Sequence, residues 1–451
     1  MTSILLPKLR RDFALAEERN HQAPLEAADI CSSQLGTLRA VWSDCVADIP
    51  YYRDLVTSGR APRTIASWAD FHALPVLTRK VLQDQPEQFV RDSGPPDGFI
   101  KTAGSTGTPL RIGVSQGERD LMRTVKLAEW QRFGYTSSSR LFLIWGHSHL
   151  LGTGWRGRVN HFRRKAADVF LGYRRVDAYR LSERLCRAHA QALIRFRPMG
   201  LIGYASALDL FACYTREFRD KFRRLGLRFV LATSEPPPRP DTLSTLEDLF
   251  GCPVVQEYGG AEFGQVAFKI GDAPFKVYSD LNIVECGQTD ESLGRPVLLT
   301  SLYDRYLPLI RYEVGDAVEE PELLPNGHAI AFESLAGRIN DVLALAGGDF
   351  VHSVAIFHCI HQELTVQNIQ MVVTDNGVEI HLITTASIAE RPDLETRIQG
   401  RMSQVHPSLA KACFVYREDI ETNRAGKRRW FIDKRTDFAL TPRPSIQTQA
   451  P

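Results

Sequence analysis

The stretch KTAGSTGTPL, Lys101 to Leu110, holds small and hydroxyl-bearing residues, with glycines at 104 and 107 and no bulky side chain before Leu110. In such a loop, backbone N–H groups and the hydroxyls of Thr102, Ser105, Thr106 and Thr108 can approach phosphate oxygens, because Gly104 and Gly107 raise no steric obstacle. It is not a Walker A loop, since the GK[ST] ending is missing. The same composition also describes a flexible turn, so the loop needs company.

Four segments supply what a nucleotide and its metal would still require. QEYGGAEFG (Gln256 to Gly264) offers the Tyr258 ring for stacking on a base and the Glu262 carboxylate as a hard oxygen ligand for magnesium. RYEVGD (Arg311 to Asp316) ends in a carboxylate just past a glycine, suited to accepting hydrogen bonds from a ribose diol. AGRIND (Ala336 to Asp341) puts Arg338 beside a flexible glycine, with Asn340 as a pivot. NRAGKRRWF (Asn423 to Phe431) carries Lys427 in a glycine-led basic loop. Each has a plainer reading taken singly: a strand-end turn with a solvated glutamate, a Gly-Asp turn, a solvated basic turn.

IWGHSHLLGTGW (Ile144 to Trp155) mixes Trp145, His147, His149 and Trp155 with glycines, as would a pocket wall for an aromatic or apolar acid; the alternative is a core strand with a polar loop. Arg156, Arg158, Arg163, Arg164, Lys165, Arg174 and Arg175 form a basic tract that could receive an anionic acceptor or be a solvated helix face. His358, Cys359 and His361 have a spacing too common to indicate a metal.

The elements that must hold these residues follow from texture. Apolar positions at helical spacing run from Phe13 to Trp42, followed by expected loops broken at Pro50, Pro62, Pro75 and Pro95. From residue 140, short apolar runs alternate with amphipathic stretches: 140–145, 201–204, 229–234, 253–258 and 296–301. That alternation predicts an α/β fold with buried strands. After Gly337 come VLALA, a helical stretch from Val354 to Glu363, and a hairpin at Asp375, Asn376 and Gly377.

The predicted organisation is a large N-terminal α/β domain with several sheets (1–337), a small mobile C-terminal α+β domain (338–437) and a polar, proline-rich tail (438–451). With 451 residues, 43% apolar and 24% charged, the chain can bury a large core; a net charge of +2 gives no bulk field for nucleic acid. No apolar run reaches the ~20 residues of a membrane span and the opening stretch is too short for a secretion signal, so a cytoplasmic location is expected. Eight cysteines without a CxxC pair suggest neither disulfides nor a zinc ribbon.

Together and in this order, TAGSTGTP, YGGAE, RYEVGD, GRIND and RAGKRRWF resemble the motifs of the adenylate-forming superfamily of acyl-CoA synthetases, luciferases and adenylation domains. Within it, PYYRDL (from Pro50), LPVLTRK (from Leu74), GYASALD (from Gly203) and TSEPPP (from Thr233) are similar to the phenylacetate-CoA ligase family and its capsule-biosynthesis relatives, over about residues 40 to 435. The resemblance implies ATP, Mg2+ and a small-molecule carboxylic acid, activated as its acyl-AMP, with coenzyme A, an amine or a carrier as acceptor.

It further implies that Ser105, Thr106, Gly107 and Thr108 hold phosphates, that Thr106 and Glu262 serve the metal, and that Ser234, Glu235, Pro236, Glu257, Tyr258 and Gly259 frame the adenine. Asp316 and Arg338 take the ribose side, and Lys427 stabilises charge as carboxylate attacks the α-phosphate. Trp145, His147, His149, Gly259 and Gly260 border the acid, and Asn340 is the hinge. Two positions depart from the pattern: Ala261 replaces a hydroxyl residue, and Asn340 an aspartate or lysine. The functions implied are acid–CoA ligation, AMP-forming amide ligation, or a nucleotide-binding partner without turnover.

Overall fold

A computed structural model describes residues 2–21, 26–101, 110–145, 154–178, 183–237, 241–288, 294–338, 342–344, 350–352, 356–357, 359–360, 363, 365–420 and 430–435. Helix α1 (Thr2–His21) and helix α2 (Ala27–Asp48) occupy the stretch expected to be helical. On α2, Gln34, Leu38, Trp42 and Cys45 recur at helical spacing and form the buried face. Pro50 does not open a loop as expected: it is the first residue of α3 (Pro50–Thr57), where a missing N–H costs nothing and the fixed φ favours the helix. Two short helices follow, α4 (Trp68–His72) and α5 (Arg79–Asp84), and then a hairpin of β1 (Gly98–Lys101) and β2 (Arg111–Val114).

The main sheet has a parallel half and an antiparallel half. Helix α6 (Gln116–Gln131) leads to β3 (Leu141–Ile144), α7 (Gly154–Phe170) to β4 (Tyr173–Val176), and α8 (Glu183–Phe196) to β5 (Gly200–Tyr204). Helices α9 (Ala205–Tyr214) and α10 (Arg219–Arg223) precede β6 (Phe229–Thr233), and α11 (Thr242–Phe250) precedes β7 (Val254–Gly260). Strands β3 to β7 pair in parallel in the order β4-β3-β5-β6-β7.

The antiparallel half continues through β8 (Gly264–Ile270), β9 (Phe275–Val277), β13 (Ala329–Arg338), β12 (Tyr312–Leu323), β11 (Arg295–Ser301) and β10 (Asn282–Cys286). The five apolar runs read as strands are strands. Along β6, Val230 and Ala232 face α8, α9 and α11, while Phe229 and Leu231 face α1 and α6, so both sides of the sheet are covered by helices. Phe211, Phe222 and Phe250 stack under the first face.

A second sheet has a core of its own. After a short ladder of β14 (Val342–Ala344) and β15 (Phe350–His352), strands β16 (Val366–Thr374), β17 (Gly377–Thr384), β18 (Cys413–Tyr416) and β19 (Phe431–Asp433) pair in the order β18-β17-β16-β19. Ile369, Met371, Ile380 and Leu382 pack against Leu394, Ile398 and Met402 of α12 (Arg391–Val405). The expected hairpin is present, but Thr374 pairs with Gly377, so Asp375 and Asn376 form the loop, and Gly377, not Asn376, takes the positive φ (129°). The expected helix from Val354 to Glu363 lies partly outside the described residues; 356–357 and 359–360 are helical.

Where α4 meets the antiparallel half, His72 Nε2 lies 3.1 Å from His328 Nε2, and a buried Arg311–Glu285 ion pair (2.9 Å) sits beside them. Burial, then the neighbouring His72 and Arg311 charges, push the His328 imidazole down to about 3; burial first and Arg311 second also lower His72. An unfolded histidine titrates near about 6.5, so the unfolded chain binds more protons below that pH, and stability, full above it, drains as pH falls toward the folded values. We predict that the urea midpoint falls between pH 7 and pH 5 and that His328→Gln flattens this slope; an unchanged slope would remove the pair as its source.

Candidate active site

In an open α/β sheet, ligands meet the carboxyl ends of parallel strands where the strand order reverses. Here the chain goes from β3 outward to β4 and returns past β3 to β5, so the reversal lies between β3 and β5. Trp145 follows β3 and stacks on Tyr204, the last residue of β5, with centroids 4.5 Å apart and planes at 29°. One strand over, Ser234 leaves β6 with φ 73°, a left-handed backbone that a non-glycine residue adopts at a cost of about 1–3 kcal/mol. Glu235 is fixed by α9: its Oε1 accepts from the Ser206 backbone N–H at 2.9 Å and from the Ser206 hydroxyl, in the first turn where a negative charge is favoured. Ser234 and Pro236 are exposed.

Strand β7 splits its residues between two faces. Tyr258 is buried and its hydroxyl donates to Asp316 Oδ2 at 3.0 Å. Glu257 points to the other face, toward α6, where burial raises its carboxyl and the Lys126 charge opposes the rise. On that face burial pushes Glu129 up to about 7, with Arg132 lowering it and Glu257 adding to the rise. What Glu257 offers at the site is therefore backbone.

Gly259 and Gly260 have steric reasons. A Cβ on Gly259 would lie 2.4 Å from the Gly264 carbonyl oxygen, and one on Gly260 would lie 2.6 Å from the Phe263 ring. Their bareness lets β7 fold back as β8 through a three-residue turn, closed by Gly264 at φ 76°. Glu262 sits in that turn. Its Oε2 meets Arg79 Nη1 of α5 at 2.7 Å, and its backbone carbonyl accepts from Arg305 Nη2 at 2.7 Å.

Arg305 is 1% exposed, and it also donates to Glu118 Oε1 (2.9 Å) and Ser301 Oγ (3.1 Å). The Tyr312 hydroxyl lies beside Glu262 and Arg79, pushed above the usual phenol range by burial and then by the Glu262 charge. Asp316 is delivered by a bulge. Leu298 pairs with Glu313 but Pro296 with Ala317, and the extra length is taken up around Gly315 at φ 79°. Asp316 lies directly opposite Arg338 on β13.

The structure thus gathers Tyr258, Gly259, Gly260, Glu262 and Asp316 around one hairpin, with Trp145 and Ser234, Glu235 and Pro236 at the neighbouring strand ends. Ser105, Thr106, Gly107, Thr108, His147, His149, Asn340 and Lys427 lie outside the described residues, as does the Arg338 side chain. Trp155 is on α7 and 70% exposed. Sequence reasoning did not single out Tyr204, Arg79, Arg305 or Tyr312. Three of these stand inside segments already singled out, GYASALD, LPVLTRK and RYEVGD, where an aromatic or cationic residue next to the motif was the available signal. Arg305 had none.

Chemically, Glu262 presents a carboxylate of which Arg79 occupies one oxygen, a donor suited to a hard divalent cation. Asp316 presents an acceptor already oriented by a phenol, suited to a diol.

No family model matches the chain. It is 22% identical over 395 residues to Protein CapK of Staphylococcus aureus, covering 85% of this chain and 84% of that protein. Crystal structures of 2-hydroxyisobutyryl-CoA ligase are similar: in the postadenylation state with 2-HIB-AMP, TM-score 0.64 at 19% identity, covering 89% of this chain and 88% of the other. With 2-HIB-AMP and CoA in the thioesterification state the TM-score is 0.54 at 19% identity, covering 92% and 94%. The chain has the fold of the adenylate-forming acyl-CoA ligases.

Arg305→Met should cost about 3–5 kcal/mol in urea unfolding, since it strands the buried Glu118 carboxylate and frees the Glu262 turn. A cost under about 1 kcal/mol would mean that the turn is held by other means.

Proposed function

We propose that this chain activates a carboxylic acid with ATP, forming the acyl-adenylate and releasing pyrophosphate, and then transfers the acyl group to coenzyme A. The observation that carries this reading is the placing of the Glu262 carboxylate and the Tyr258–Asp316 pair at the β7–β8 hairpin, where the parallel half of the sheet meets the antiparallel half, in the motif order the sequence presents.

In this reading the nucleotide lies across the ends of β6 and β7. The segment Ser234 to Pro236, pinned through Glu235 to α9, and the Tyr258 to Gly259 backbone flank the adenine. Asp316, aligned by the Tyr258 hydroxyl, accepts from the ribose diol. Ser105, Thr106, Gly107 and Thr108 take the phosphates. Glu262, with Thr106, holds the magnesium ion that neutralises phosphate charge; the donor set fits, because Glu262 is a half-buried carboxylate at a rigidly tethered turn.

Trp145, stacked on Tyr204, walls the acid, which is aromatic or apolar, together with His147, His149, Gly259 and Gly260. The acid's carboxylate oxygen attacks the α-phosphorus while the bond to pyrophosphate breaks, and Lys427 and Arg338 offset the charge that develops. The acceptor's thiolate then attacks the acyl carbon and AMP departs. Residues 338–437 act as the moving unit and Asn340 as its pivot.

Acid-dependent exchange of pyrophosphate into ATP, across aryl, fatty and amino acids, tests the first step; absence of exchange with every acid would sink the reading. Adding coenzyme A or amines to the responsive acid then separates thioester from amide products. We predict that Lys427→Ala lowers exchange by about 10²-fold or more with ATP binding retained, whereas Asp316→Asn chiefly weakens ATP binding.

A further inference from the structure

Helix α7 presents an apolar stripe to solvent. At about 100° per residue, Trp155, Val159, Phe162, Val169 and Phe170 share one face, and Trp155, Phe162 and Val169 are 70%, 74% and 80% exposed. The helix is held to the protein from the opposite side: Arg164 and Asp168 are half-buried there, and Asp168 pairs with Arg175 of the edge strand β4 at 2.9 Å. Cations border the stripe on both flanks, Arg158 and Lys165 on one and Arg163 on the other, all exposed, while the acid on this helix, Asp168, faces inward.

We propose that α7 docks on an anionic lipid surface. A stripe of Trp, Phe and Val between two rows of Arg and Lys matches a helix lying in a membrane interface, rings among the acyl chains and guanidinium and ammonium heads on lipid phosphates. Charge selects this occupant. A second copy packed stripe to stripe would set the two cationic borders against each other, whereas an anionic surface satisfies both at once. No described helix is long and apolar enough to cross a membrane, so the contact is peripheral.

The test is co-sedimentation of the full chain with phosphatidylcholine vesicles, with and without phosphatidylglycerol. Binding is expected only to the anionic vesicles, weakening with added salt. It should fall at least about tenfold in Arg158→Glu/Arg163→Glu/Lys165→Glu and likewise in Trp155→Ser/Phe162→Ser, with thermal midpoints near that of the parent chain. Should a variant fold poorly, the unsubstituted chain decides: its tryptophan emission should shift to the blue on anionic vesicles, and much less so in Trp155→Phe. Three outcomes overturn the proposal: no binding, equal binding to neutral vesicles, or a dimer in sedimentation velocity that Phe162→Ser dissociates.

Discussion

The guanidinium of Arg305 joins three parts of the chain that are far apart in sequence: α6 through Glu118, β11 through Ser301 and the β7–β8 turn through the Glu262 carbonyl. It is almost wholly buried, so its charge must be matched locally, and the matching groups fix where the turn stands. The Glu262 side chain then inherits a defined position and meets Arg79 on α5. Remove that anchor and the turn loses its hydrogen bond to the buried layer beneath it. The electrostatics of the site thus begin one layer beneath the residues that would touch a ligand.

The same division of labour explains what could be read from the sequence. Buried strands announce themselves as short apolar runs, and the runs near residues 141, 201, 230, 254 and 297 are strands because both faces of the sheet are covered. Glycine-bearing motifs were legible as well, since Gly259 and Gly315 are demanded by a backbone approach and a left-handed bulge. Arg305 was illegible: a lone arginine carries no signal that it will be buried, and its partners Glu118, Ser301 and Glu262 meet only in the folded chain. Pro50 misled for a related reason, because proline both breaks helices and begins them, and only the following turn decides. The side-chain direction of Glu257 depended on the β7 register, which the motif does not encode.

The α7 stripe shows the opposite limit. Its cationic residues were visible as a tract, yet which of them face solvent depends on the inward side of the helix, where Asp168 pairs with Arg175. That pair orients the helix, and the orientation turns a scattered set of arginines and aromatics into one amphipathic surface.

Strand β7 is where the two halves of the sheet meet, and this seam accounts for the location of the site. Strands β3, β5 and β6 belong to the parallel half, where the chain must cross back over the sheet before the next strand can start, so they stop at 144, 204 and 233. β7 is parallel to β6 but antiparallel to β8, and so it needs no crossover. It runs on to Gly260 and folds back within three residues, carrying Glu262 past the residue that pairs with the end of β6. On its far side the antiparallel strands β12 and β13 bring Asp316 and Arg338 opposite one another. A carboxylate on a hairpin and a carboxylate on a bulge both belong to the stretch of sheet around β7 because the sheet changes from parallel to antiparallel at this strand.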